Sequence, residues 1–109
     1  FVTRLVHGRA TRAAGMGTWV EGLTSLWRLA SIDPRMAAME PKLAERAICG
    51  AAILAARQIT ADEARGYPRP WVAEGAWFTG DITRMDDQQH ALSGLVLTRA
   101  ILATREEDQ

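Results

Sequence analysis

The densest group of chemically able side chains lies between residues 81 and 90, in the run Asp81-Ile82-Thr83-Arg84-Met85-Asp86-Asp87-Gln88-Gln89-His90. On a helix, Asp86 and His90 are four apart and Asp87 and His90 three apart, so either carboxylate can reach the imidazole. A carboxylate there would orient the ring and favour its protonated form, which is half of an acid–base site. Ser93 follows three residues on, without a nucleophile-elbow motif around it. The bland alternative is that the acids offset the helix dipole in a first turn and His90 pairs locally.

The same residues allow a metal reading. Asp87-x-x-His90 has the spacing of the Glu-x-x-His element of carboxylate-bridged dimetal bundles. Such sites need two of these elements and two more carboxylates. A symmetric dimer would have to supply the second copy, with Glu74 or Asp81 completing the shell. No cofactor is expected, and metal at Asp87 and His90 is the weaker reading.

Just upstream, Tyr67, Trp71, Trp77 and Phe78 accompany Arg69 and Glu74. Trp, Tyr and Arg are enriched at interaction hot spots, so Tyr67, Arg69, Trp71, Glu74 and Trp77 are the candidate ligand or partner surface. The competing reading is that these rings pin a loop carrying two prolines.

Around these residues the sequence prescribes helices. Val2, Leu5, Val6, Ala10, Ala13 and Ala14 recur at helical spacing over about Thr3–Ala14, and Gly15-Met16-Gly17 is expected to stop that helix. Thr18-Trp19-Val20-Glu21 reads as a capping box opening a second helix to about Ser31, with Trp19, Leu23, Leu26, Trp27 and Ala30 as its apolar stripe. Asp33-Pro34 is a further start signal, with a short helix to Met39. Pro41–Ile59 is apolar nearly all round and is expected to be the central helix, with Cys49 as a small core residue. Thr60-Ala61-Asp62-Glu63 is another capping box, leading a short turn that ends at Gly66. The prolines of Tyr67-Pro68-Arg69-Pro70 exclude helix there. Trp71–Phe78 fits a short helix or a hairpin turning at Glu74-Gly75, the helix being preferred. Thr83 is expected to cap a last helix over Arg84–Ala103, packed through Met85, Leu92, Leu95, Val96, Leu102 and Ala103, with a frayed tail from Arg105.

The fold class is therefore all-α: a small bundle of three long helices plus one to three short ones, antiparallel neighbours, in one domain over residues 1–109. The length of 109 residues and 48% apolar content support a core without disulfides or metal, and the single Cys49 excludes an intramolecular disulfide.

Thirteen basic and thirteen acidic residues give zero net charge, which argues against a nucleic-acid binder. The balance is uneven. Residues 1–28 hold four Arg against one acid, and residues 66–109 hold seven acids against four Arg, so the two ends are complementary. No phosphate-binding glycine loop is present. No apolar run is long enough to span a membrane. Arg4 interrupts any apolar leader, and a cytoplasmic location is expected. Twelve Arg to one Lys, nineteen Ala and no Asn suggest a GC-rich, bacterial coding sequence. Four Trp and two apolar-rich helices are a large load for so short a chain. The expected role is a self-associating, homodimeric or partner-binding module rather than an enzyme. A small-molecule- or metal-binding enzyme using Asp86, Asp87 and His90 near Trp71 and Trp77 is the alternative.

Overall fold

The computed structural model describes residues 12–107. Three long helices carry it: α1 (Ala13–Ile32), α2 (Glu40–Arg57) and α5 (Met85–Glu107). A 3-10 segment, Pro34–Met39, joins α1 to α2, and two single-turn helices, α3 (Ala61–Ala64) and α4 (Pro70–Ala73), lie between α2 and α5. No strand forms among the described residues; an isolated bridge links Thr79 and Ile82. The all-α bundle is thus as expected, and its helices differ in where they begin and which faces they bury.

The first difference is at Gly15-Met16-Gly17, which does not stop a helix. Helix α1 runs through it. The part of the predicted first helix before Arg12 lies outside the described residues. Thr18 is consequently mid-helix and exposed, and the capping box predicted with Glu21 does not form. Gly17 is buried because α5 crosses it. A Cβ there would lie 2.7 Å from the Ala91 nitrogen and closer still to the His90 carbonyl, all backbone atoms. Gly94 faces it from α5, with Val20 side-chain carbons 3.3 Å from where its Cβ would be. The contact is completed by Thr24, Ala91 and Thr98, all buried. Each hydroxyl is satisfied within its own helix, Thr24 donating to the Glu21 carbonyl (2.9 Å) and Thr98 to the Gly94 carbonyl (2.8 Å), so small polar residues are buried without orphaned groups.

A second correction concerns the central helix. It is α1, not Pro41–Ile59. Helix α1 packs extensively on both α2 and α5, whereas α2 and α5 touch each other less. Two side-by-side cores result. One gathers Met16, Val20, Ile53, Leu54, Trp77 and Ala91; the other gathers Trp27, Leu43, Ala44, Ala47 and Ile101. Cys49, expected inside, is exposed on the outer side of α2. That helix buries one face, through Leu43, Ala44, Ala47, Ala51 and Leu54, and Cys49 falls on the opposite side with the exposed Ala52 and Ala56.

The third correction is the face of α5. Its buried stripe is Asp87, Ala91, Gly94, Thr98 and Ile101. Met85, Leu92, Val96 and Leu102, expected as the core stripe, are exposed. The same reversal occurs on α1, where Trp27 and Ala30 are buried as expected but Trp19 and Leu26 are about half exposed. Close approach at Gly17 and Gly94 decides the matter: helices whose backbones nearly touch need small residues between them, so the large side chains turn outward.

Other local signals act as read. Asp33 accepts a hydrogen bond from the Arg35 N–H (3.0 Å) and Pro34 opens the 3-10 segment. Pro41 sits in the first turn of a fresh helix rather than kinking an old one. The indole N–H of Trp27 donates to Glu40 (2.7 Å), tying α1 to the start of α2. The Thr60–Glu63 capping box forms in both directions, at 3.1 and 3.2 Å. Of Trp71–Phe78, only the start is helical, within α4; Glu74-Gly75 is a turn, with Gly75 at φ +83°. Helix α5 starts at Met85 and continues through Glu107, into the segment expected to fray.

Candidate functional site

Asp86 and Asp87 come together with Arg12, not with His90. The Arg12 guanidinium binds Asp86 directly and approaches Asp87 at 3.4 Å. This is one place where the basic start of the chain meets its acidic end. The Arg12 hydrogen bond holds the Asp86 carboxyl below the usual aspartate range, and Asp86 raises the Arg12 guanidinium in return. Asp87 is fully buried. Its Oδ1 accepts from the backbone N–H of Ala14 (2.9 Å) and its Oδ2 from the Thr79 hydroxyl (3.3 Å). Arg12, at the N-cap position of α1, makes no side-chain cap, so Asp87 caps α1 from another helix. A carboxylate there satisfies an orphan N–H and lies at the positive end of the α1 dipole.

His90 takes its carboxylate from α1 instead. Its Nδ1 lies 2.6 Å from Glu21 Oε1, and the Ser93 hydroxyl donates to Glu21 Oε2 at 3.0 Å. The Glu21 carboxylate thus bridges His90 and Ser93, which do not bond each other. With Nδ1 donating to Glu21, a neutral imidazole carries its accepting lone pair on Nε2, the arrangement of an oriented base. Among the described residues no three of His, Cys, Asp and Glu converge as a metal would require. His7 lies outside those residues.

The aromatic segment divides. Trp77 is a core residue, 3% exposed, with its indole N–H donating to the Leu54 carbonyl at 2.8 Å. Trp71, 75% exposed, and Glu74 point away from the core. Tyr67 and Phe78 are partly buried over a small core of Ile59, Ala64 and Ala73, with ring centroids 4.8 Å apart. They line a surface cleft of about 340 Å³ that also includes Arg69, Val72, Asp81 and Thr83. Thr83, expected as a helix cap, stands in this wall.

Gln88 holds the cleft together. Its carboxamide accepts from the Trp77 N–H (2.8 Å) and donates to the Trp77 carbonyl (2.7 Å) and that of Arg84 (3.1 Å). Sequence reading missed Arg12, Glu21 and Gln88 as members of these clusters. For Arg12 the only hint was the opposite charge of the two chain ends. Glu21 was absorbed by a capping box that does not form. A lone Gln carries no recognisable pattern.

No protein-family model, curated protein or solved structure significantly matches the chain.

Proposed function

We propose that the chain is a self-associating helical module whose partner is a second copy of itself, docked along the outer face of α5. One observation carries this reading: α5 buries its small, polar stripe and turns its large apolar stripe outward. Met85 is 81% exposed, Leu92 55% and Val96 53%. Ala103 continues the row at helical spacing. Such a stripe is the usual mark of a helix with a further partner.

Charge selects a second copy in antiparallel register. Helix α5 is about 34 Å long for its 23 residues. A two-fold axis at Val96 brings Val96 onto Val96 and Leu92 onto Ala100 of the other copy. It also brings Arg84, before the N-terminus, to Glu106 and Glu107 at the other copy's C-terminus. Among the described residues none of these three charges has an ion pair. Antiparallel helices also oppose their dipoles.

Sedimentation equilibrium or light scattering at micromolar concentration tests this. Twice the 12.0 kDa chain mass is expected. Leu92→Glu with Val96→Glu should give a folded monomer. Arg84→Glu should weaken the dimer, and adding Glu106→Arg and Glu107→Arg should restore it. A wild-type monomer would refute the reading.

A further inference from the structure

We propose that the cleft beside α4 binds a small zwitterion with an apolar side chain, of the class of the aromatic α-amino acids. This goes beyond self-association and does not depend on it, since the cleft lies in the segment between α2 and α5.

The walls are built and held. Gly75 donates to the Ile59 carbonyl (2.8 Å) and Ile59 to that of Ala76 (2.9 Å), while the Gln58 side chain donates to Gly75 (2.9 Å). Thr79 and Ile82 exchange backbone hydrogen bonds at 2.9 and 3.1 Å across the turn. Gln88 clamps both backbone groups of Trp77, and the Trp77 indole is anchored in the core. Phe78 follows directly, so its ring is placed by these bonds. The cleft is therefore formed before a ligand arrives, which lowers the ordering cost of binding. Its volume of about 340 Å³ lies within the range of small-molecule sites.

The chemistry of the lining defines the class. The Tyr67–Phe78 pair and Val72 offer an aromatic and aliphatic surface. Arg69 and Asp81, one basic and one acidic residue, both line the cleft. Among the described residues neither side chain has a hydrogen bond or an ion pair, with each other or elsewhere. Arg69 presents the forked donors that suit a carboxylate, Asp81 accepts from an ammonium, and the Thr83 hydroxyl can serve either. A single-charge ligand engages one of these groups and leaves the other to water, whereas a molecule carrying both charges gains both contacts.

Calorimetric titration with phenylalanine, phenylpropionate and phenylethylamine tests the assignment. Phenylalanine should bind about tenfold more tightly than either single-charge analogue, about 1.4 kcal/mol. Arg69→Gln should bring phenylalanine down to the level of phenylethylamine, and Asp81→Asn should bring it down to that of phenylpropionate. Both residues are exposed, so circular dichroism should show an unchanged fold. Absence of binding by all three probes, equal binding by all three, or an unchanged preference in both variants would overturn the proposal.

Discussion

Replacing Gly17 by Ala sets two opposed effects against each other at one atom. In a helix interior Gly→Ala is worth about 1 kcal/mol of added helix stability. At Gly17 the added methyl would meet the backbone of His90 and Ala91, with the Ala91 nitrogen 2.7 Å away. Ordinary van der Waals contact is about 3.5–4 Å. Backbone cannot rotate aside as a side chain can, so α1 and α5 must part by roughly 1 Å. That separation loosens Met16, Val20 and Ala91 in one core and the Gly94 contact beside it. Overpacking of this kind costs about 1–3 kcal/mol, and its position against backbone puts it at the upper end. The net expectation for Gly17→Ala is destabilisation by about 2 kcal/mol. Gly22, five residues along the same helix, has open space where its Cβ would be. Gly22→Ala should therefore stabilise by about 0.5–1 kcal/mol. Urea unfolding followed by far-ultraviolet circular dichroism reads both, and the two midpoints should move in opposite directions. A Gly17→Ala variant as stable as the wild type would refute the close crossing of α1 and α5. A destabilised Gly22→Ala variant would refute the open face of α1.

Asp87→Asn keeps the shape of the buried group but removes its charge from the Arg12 guanidinium and the α1 N-terminus; a loss of about 2 kcal/mol is expected in the same unfolding assay, with the first turn of α1 losing amide-exchange protection before the rest. Asp86 and Asp33 are both held below the ordinary aspartate range, by Arg12 and Arg35 respectively. Their contributions to stability are fully present above the ordinary aspartate value and are lost as pH falls through the lower folded values. Stability measured at a series of acid pH values should accordingly fall over that window, and Asp86→Asn with Asp33→Asn should flatten the fall; an unaltered acid slope in the double variant would count against both pairs.

How far the sequence discloses this fold depends on the range of the signal. Some local signals are faithful: Asp33-Pro34 opens a 3-10 segment and Thr60 and Glu63 make their box, but Pro70 opens α4 rather than excluding helix, because proline fits the first helical position, and the Thr18–Glu21 box does not form. Signals whose meaning depends on a distant partner mislead. Gly15-Met16-Gly17 looks like a stop because two glycines weaken a helix, yet α5 uses Gly17 as a crossing point. Hydrophobic periodicity on α5 marks a real stripe and assigns it to the wrong side. The reason is that the inner face is filled by Gly94, Ala91 and two partnered polar groups, Asp87 and Thr98. The candidate site residues fare similarly. Tyr67 and Arg69 do share a cleft, whereas Trp77 is taken by the core and Asp87 by a helix end. His90 answers to Glu21, 69 positions away, which helical spacing alone does not reveal.

The cap on α1 has a consequence for the order in which the chain acquires structure. The Ala14 N–H is satisfied by a carboxylate 73 positions further along. The Asp87 cap on the opening turn of α1 thus comes from far along the chain. During synthesis that end lacks this cap until residue 87 has emerged and α5 has docked. The earliest-made segment described is thus among the last to be secured, and it couples the two ends of the chain into one cooperative step. Truncating α5 before Asp87 should therefore unravel α1 from its beginning, since both its cap and its most extensive packing partner are lost.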